Sequence, residues 1–381
     1  MSENYDPSFL YEQEPDGWTK RSFDAFLTWM YDQGCSDFAV VPAGPFWVRK
    51  DGYWYPVTRR KVSGGETARL IDEITARTST SSQIFGQKYK DFAYRIKVDR
   101  NNRYAFRISA TACQEFGTNS GIEIVGRAIS SEPPTMDDIK MPQEIREHIV
   151  PENGVVLITG TMGSGKSTTL AATMRYIIEN QRRHVGTYEE PIEYDLMGIR
   201  NPMGPVIQTE IPTHLEDFTA APRNAVRRAF DVVLIGELRD VETLRGVTTL
   251  GGQGPAVYGT VHVRNVPETV HQIINRFSPA EQPEIATKLI SSLRLIVHQR
   301  LIPRPDGGRQ LVKEYLPFTA DVRARLMRCE LTQLINQIEQ EVSDHGVPLL
   351  EDARQSFEAG KIDQAYWDSI RREVEMRESH G

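Results

Sequence analysis

Apolar residues along this chain follow two rhythms, and the change between them falls near residue 130. Phe23, Phe26, Leu27 and Met30 recur at i, i+3, i+4 and i+7, which places them on one face of a helix, and residues 68–74 (ARLIDEI) suggest a second helix. Around these, alternating apolar and polar positions predict strands at 38–41 (FAVV), 45–57 (PFWVRKDGYWYPV, with an Asp-Gly hairpin signal), 92–98 (FAYRIKV), 103–110 (RYAFRISA) and 122–129 (IEIVGRAI). The stretch 130–142, SSEPPTMDDIKMP, is rich in proline and charge and has no hydrophobic period, so it reads as a linker. The expectation is a small mixed α/β domain over 1–129, a linker at 130–142 and a second domain over 143–381.

Past the linker, short unbroken apolar runs alternate with helical patterns, which predicts a mainly parallel sheet covered by helices. The runs are Val155–Ile158, HVGTY at 184–188, the VVLI of DVVLIGELRD at 231–240, and Ala256–Val261. A formal charge of −7 argues against a nucleic-acid or anionic-lipid surface covering the whole chain, though local basic patches stay possible. Cys35, Cys113 and Cys329 are too far apart for a disulfide framework or a metal knuckle, which fits a reducing compartment. No apolar run approaches membrane-spanning length and the acidic start lacks the features of a signal peptide, so the expected location is the cytosol.

The chemistry concentrates in four loops after these strands. Residues 160–167, GTMGSGKS, match G-x-x-x-x-G-K-[ST] between a strand and a helix beginning near Ser167. Glycines let successive N–H groups curl round an anion, and the helix N-terminus adds positive potential. Lys166 would reach the β- and γ-phosphates of a nucleotide and Ser167 would ligate Mg²⁺. TYEEPIEY brings Glu189, Glu190 and Glu193 after the 184–188 strand; they read either as a solvated acidic turn or as carboxylates that polarise water and hold Mg²⁺ through its hydration shell. DVVLIGELRD delivers Glu237, with Gly236 where an aspartate is usual, and alone would also suit a buried strand ending in a solvated acid. His262 ends the 256–261 strand, and taken alone a histidine there is more often structural.

In order and spacing, GTMGSGKSTTL, TYEEPIEY, DVVLIGELRD and GTVHVRNVPET resemble the Walker A, acidic, Walker B and histidine boxes of the type II/IV secretion and pilus-retraction ATPases, the PilT-like family. Arg223 and Arg227 fall at arginine positions of the family segment before Walker B. The resemblance implies an N-terminal PAS-like domain, a RecA-like P-loop core with terminal helices, and a homohexamer that uses ATP and Mg²⁺. On that analogy Gly160, Thr161, Met162, Gly163, Ser164, Gly165, Lys166, Ser167 and Thr168 cradle the phosphates, and Ser167, Glu193 and Glu237 serve the metal. Glu189 or Glu190 activates water, Glu237 couples the sites, His262 senses the γ-phosphate, and Arg107 and Arg127 approach the nucleotide. Arginine suits this last task because its permanent planar cation matches charge spreading over a phosphoryl group.

Within the family the likeness is to the DotB and TraJ group of type IVB secretion and conjugative transfer, with pilus retraction as the alternative. That implies inner-membrane secretion components as partners and a place at the cytoplasmic face of that membrane. Two readings of other classes compete: a protein that binds ATP without turning it over, and a nucleic-acid motor resting on Arg294, Arg300, Arg304 and Arg309, which no aromatic stacking platform accompanies.

Overall fold

A computed structural model describes residues 9–378 apart from positions 51, 87, 99–102, 116, 117, 130 and 131. The chain divides into two compact units, Met1–Ser131 and Glu132–Gly381.

The first unit is built on strands β1 (Asp37–Val40), β2 (Phe46–Lys50), β3 (Tyr53–Pro56), β4 (Lys90–Lys97), β5 (Arg103–Glu115) and β6 (Thr118–Ile129). They form one sheet in the order β3-β2-β1-β6-β5-β4 with every neighbouring pair antiparallel. Strand alternation decides its packing, because alternate residues face opposite ways. Phe38, Val40, Phe46, Val48, Phe106, Ile108, Ile122 and Ile124 are buried together with Phe23, Phe26, Leu27 and Met30 of the helix Lys20–Asp32 and Leu70, Ile71 and Ile74 of the helix Gly64–Thr75. Thr19 and Ser22 close a reciprocal capping box at the start of the first helix. The hairpin joins Lys50 to Tyr53 as its sequence requires, although Asp51 lies outside the described residues. Strands β5 and β6 run well past the 103–110 and 122–129 expected from apolar alternation, because Thr111, Ala112 and Cys113 continue the pairing with small or polar side chains.

The second unit holds β7 (Gly154–Thr159), β8 (Val185–Glu189), β9 (Val206–Glu210), β10 (Val232–Ile235), β11 (Ala256–Val261), β12 (Leu293–Pro303) and β13 (Arg309–Pro317). Their order is β13-β12-β7-β11-β10-β8-β9, parallel throughout except for the β12–β13 pair. Every residue of β7, β10 and β11 is buried, which is why these strands read as unbroken apolar runs. Val155, Leu157, Val233 and Ile235 face one helical layer, Val156, Ile158, Val232 and Leu234 the other. Met136 and Met141, from the stretch expected to be a linker, are buried in this second layer; residues 130 and 131 lie outside the described residues. A turn that contributes two isolated methionines carries no period for a sequence reading to detect. The terminal helices Leu349–Glu358 and Gln364–Glu378 pack against Ile302 of β12 and Val312 of β13.

In the first unit the nearly buried Glu66 carboxylate accepts two hydrogen bonds from Arg60, each 2.8 Å, and one from the Trp18 N–H, also 2.8 Å. The Arg60 hydrogen bonds lead the effects that hold its carboxyl below the usual carboxylate range. Glu66→Ala is expected to cost about 2–3 kcal/mol, less than a fully buried pair because Arg60 stays a third exposed. In the parent this stabilisation is complete above the unfolded carboxylate value near 4.3 and is lost as pH falls through the lower folded value. Urea unfolding followed by tryptophan fluorescence checks both points, since Trp18, Trp29, Trp47 and Trp54 all lie in this unit.

Candidate functional site

Because β7, β8, β10 and β11 are parallel, their carboxyl ends gather at one edge of the sheet, the edge at which open α/β sheets bind ligands. The loop 160–165 follows β7 there and leads straight into the helix Lys166–Asn180. Gly160 adopts φ +142°, and a β-carbon on it would stand 2.3 Å from the backbone oxygen of Gln299. Gly165, at φ +90°, makes the left-handed turn into the helix. The Lys166 ammonium is buried and donates to the carbonyls of Gly160 and Thr161, each at 2.9 Å, so it lies across the mouth of the loop. Burial pushes its pKa down, against the opposing pull of Glu237 and Glu193. The Ser164 hydroxyl is buried with no hydrogen-bond partner among the described residues, Ser167 is exposed at the first helical turn, and Thr168 meets the Tyr194 hydroxyl at 3.1 Å. Met162 stands almost fully exposed at the loop tip.

The carboxylates arrive from neighbouring strands. Glu189, the last residue of β8, accepts from the Thr187 hydroxyl at 2.5 Å and from the Gln208 amide at 3.0 Å. Glu190 is exposed, 3.9 Å from Arg239, and Glu193 is half-buried with its charge acting on Lys166. Glu237 lies just beyond β10, where Arg239 bonds both its oxygens, at 2.5 and 2.6 Å, and His262 Nε2 approaches to 3.4 Å from the end of β11. Burial pushes the Glu237 carboxyl up, but the hydrogen bond and charge of Arg239, with His262 and Lys166, outweigh it and hold it below the usual range. Among the described residues there is no group of three His, Cys, Asp or Glu able to cage a metal. One exposed hydroxyl with carboxylates at a distance suits Mg²⁺, which keeps several waters and binds chiefly through phosphate.

Loop, Lys166, Glu193, Glu237 and His262 therefore share one neighbourhood, with Glu189 and Glu190 beside it. Arg107 and Arg127 belong to the first unit, where they are cross-strand neighbours on the exposed side of the sheet and Arg127 donates to Asp37 at 2.6 Å. Arg223 and Arg227 line a different cavity of about 810 Å³ with Glu242 and Arg245. Three of the arginines considered for nucleic acid are engaged inside the chain: Arg294 with Asn153, Arg300 with Glu373 and Arg304 with Asp306. Sequence reasoning passed over Arg239, Tyr194 and Gln299; the first two stand two residues from Glu237 and one from Glu193 and were findable, whereas Gln299 meets the loop only through folding.

A glycine loop between a parallel strand and a helix, spanned by a buried lysine and flanked by carboxylates on neighbouring strands, defines a P-loop nucleotide-binding protein. The model of the type II/IV secretion system protein family matches residues 12–314, and the chain belongs to that family. It is similar to the X-ray structure of the ATPase DotB from Legionella pneumophila, at 32% identity and a TM-score of 0.88, covering 95% of this chain and 98% of that one. The structure of the pilus retraction motor PilT with bound ADP superposes with a TM-score of 0.76 at 25% identity, covering 90% and 94%. The type IV pilus ATPase PilU of Pseudomonas aeruginosa is 30% identical over 310 residues, 79% of this chain and 76% of its own length. The protein is an ATPase. No helix among the described residues is long and apolar enough to cross a membrane.

Lys166→Ala removes the buried cation nearest the loop. Turnover should fall at least about 100-fold, the scale for losing one preorganised charge at a transferring phosphoryl group, and nucleotide binding should weaken. Phosphate release and nucleotide titration measure the two; parental rates in this variant would detach the loop from the active site.

Proposed function

We propose that this ATPase is a homohexameric motor that powers a type IVB secretion or conjugative transfer apparatus from the cytoplasmic face of the inner membrane, through contacts with that apparatus. The observation that carries the reading is the likeness to DotB, which exceeds that to PilT in both identity and superposition over nearly the whole of both chains. The similarity to the pilus retraction motor PilT supports a second reading, a type IV pilus retraction motor. The order β3-β2-β1-β6-β5-β4 supports a PAS-like first unit, and the placing of β11 between β7 and β10 supports a RecA-like second unit.

At the site, residues 160–168 would cradle the phosphates of ATP with Lys166 on the β- and γ-groups. Ser167 would ligate Mg²⁺, with Glu193 and Glu237 acting on its waters; when bound, the metal neutralises charge on the phosphates. Glu189 is favoured over Glu190 as the group that orients the attacking water, because two donors fix its carboxylate whereas Glu190 is exposed. His262, in contact with Glu237, would report the γ-phosphate to that carboxylate. Arg107 and Arg127 would supply cations to the phosphates, a task that a permanent planar cation suits.

Glu237→Gln should keep nucleotide affinity while lowering kcat about 100- to 1,000-fold, since the amide preserves shape but loses the anion. Arg127→Ala should hydrolyse poorly while retaining its fold. A Glu237→Gln variant that turned over normally would end this assignment of the carboxylate. Sedimentation with and without ATP analogue tests the ring, and a monomer under all conditions would remove it. Expression in bacteria lacking DotB and in bacteria lacking their retraction ATPase separates the two systems: rescue of secretion supports the first reading, rescue of twitching alone overturns it.

A further inference from the structure

Strand β12 runs beside β7 with His298 paired to Thr159, so the next residue, Gln299, comes level with Gly160 where the phosphate loop leaves the sheet. Gln299 is 1% exposed, and both ends of its side-chain amide are engaged. Nε2 donates to the Ser164 carbonyl at 2.8 Å, and Oε1 accepts from the Thr169 hydroxyl at 3.1 Å. Its own backbone carbonyl closes on the start of the loop, as the 2.3 Å approach to a β-carbon at Gly160 records. One residue, distant in sequence, thus touches the loop's first residue, its last turn and the first turn of the helix beyond.

A buried amide is costly unless its hydrogen bonds are made, so a residue needed only for packing here would be apolar, like Val297 and Leu301 along the same strand. Peptide geometry gives the consequence. The Ser164 C=O and the Gly165 N–H belong to one planar trans unit and point in opposite directions. Drawing the Ser164 carbonyl onto Gln299 therefore turns the Gly165 N–H away from β12. The Ser164 carbonyl can only accept, so it takes the NH₂ end of the amide, and the Thr169 hydroxyl donates to the Oε1 that remains.

We propose that Gln299 is a positioning residue of the phosphate loop, fixing the Ser164–Gly165 peptide so that the Gly165 N–H is presented to phosphate. The inference rests on the nucleotide-binding reading of residues 160–167. It assigns part of the loop's anion affinity to a strand carrying no recognised motif.

Three variants of the full chain test it. Gln299→Met keeps the volume and removes both hydrogen bonds, Gln299→Glu keeps the shape and the acceptor but cannot donate to Ser164, and Thr169→Val removes the hydroxyl that holds the oxygen end of the amide. KM for ATP and the inhibition constant of inorganic tripolyphosphate should rise together, about 5- to 10-fold in Gln299→Met, the scale of one oriented hydrogen bond. Gln299→Glu should lose at least as much, because its charge also repels phosphate. The Gln299→Met and Thr169→Val effects should combine to less than their product in the double variant. Should Gln299→Met not fold, the other two decide. Folded variants with parental KM and tripolyphosphate inhibition, or a double variant whose losses multiply in full, overturn the inference. Lys166→Ala in the same assays separates the levels: if it too left KM and tripolyphosphate inhibition unchanged, the nucleotide-binding reading itself would fall, whereas a response to Lys166→Ala alone sinks only the role of Gln299.

Discussion

The parallel pairing of β7 with β11 on one side and β12 on the other supports the rest of the site. Burial on both faces fixes that register, because a one-residue slip would exchange Val155 and Leu157 with Val156 and Ile158 between two different helical layers. The same register brings β12 past the end of β7, under the point where the loop departs, and leaves room there only for glycine. Loop geometry is thus inherited from core packing. Loop geometry and fold stability are consequences of one arrangement, to which β12 contributes without belonging to the loop.

Electrostatics then divide the edge of the sheet. Lys166, at the end of the loop, is desolvated, and the carboxylates acting on it, Glu193 and Glu237, lie in the segments that follow β8 and β10. Glu237 stays ionised in a half-buried position because Arg239 holds both of its oxygens. An anion kept charged in a partly dry site acts at greater strength than one in water. His262 Nε2 stands on the same oxygen, Oε1, as Arg239 Nε.

What the sequence made legible follows from how local each feature is. The loop 160–167 and the runs in β7, β10 and β11 are contiguous, so motif and hydrophobicity suffice to find them; the helix face of Phe23, Phe26, Leu27 and Met30 was equally readable. The lengths of β5 and β6 were not, because pairing rather than apolar content extends them. Met136 and Met141, within the stretch expected to be a linker, were not expected in a core, because they enter it from a turn. Gln299 gains its meaning only when strand order places it against the loop and its helix, 135 residues from Ser164.

Strand β12 also accounts for one of the basic residues that suggested nucleic acid, Arg300. Alternation sends Gln299 towards Ser164 and Thr169 and its neighbours His298 and Arg300 to the other face, where they line a cavity with Thr161 and Met162 of the loop. A guanidinium only donates, so the Arg300 Nε contact at 3.3 Å makes His298 Nε2 the acceptor and leaves Nδ1–H to donate to the Thr159 hydroxyl at 3.2 Å. Arg300 in turn binds both oxygens of Glu373, at 2.6 and 2.8 Å, on the last helix. The arginine is therefore committed to joining the terminal helix to the strand that runs beneath the loop. With the two faces of β12 employed in this way, the C-terminal segment becomes part of the loop's foundation, and its charge serves the interior of the chain.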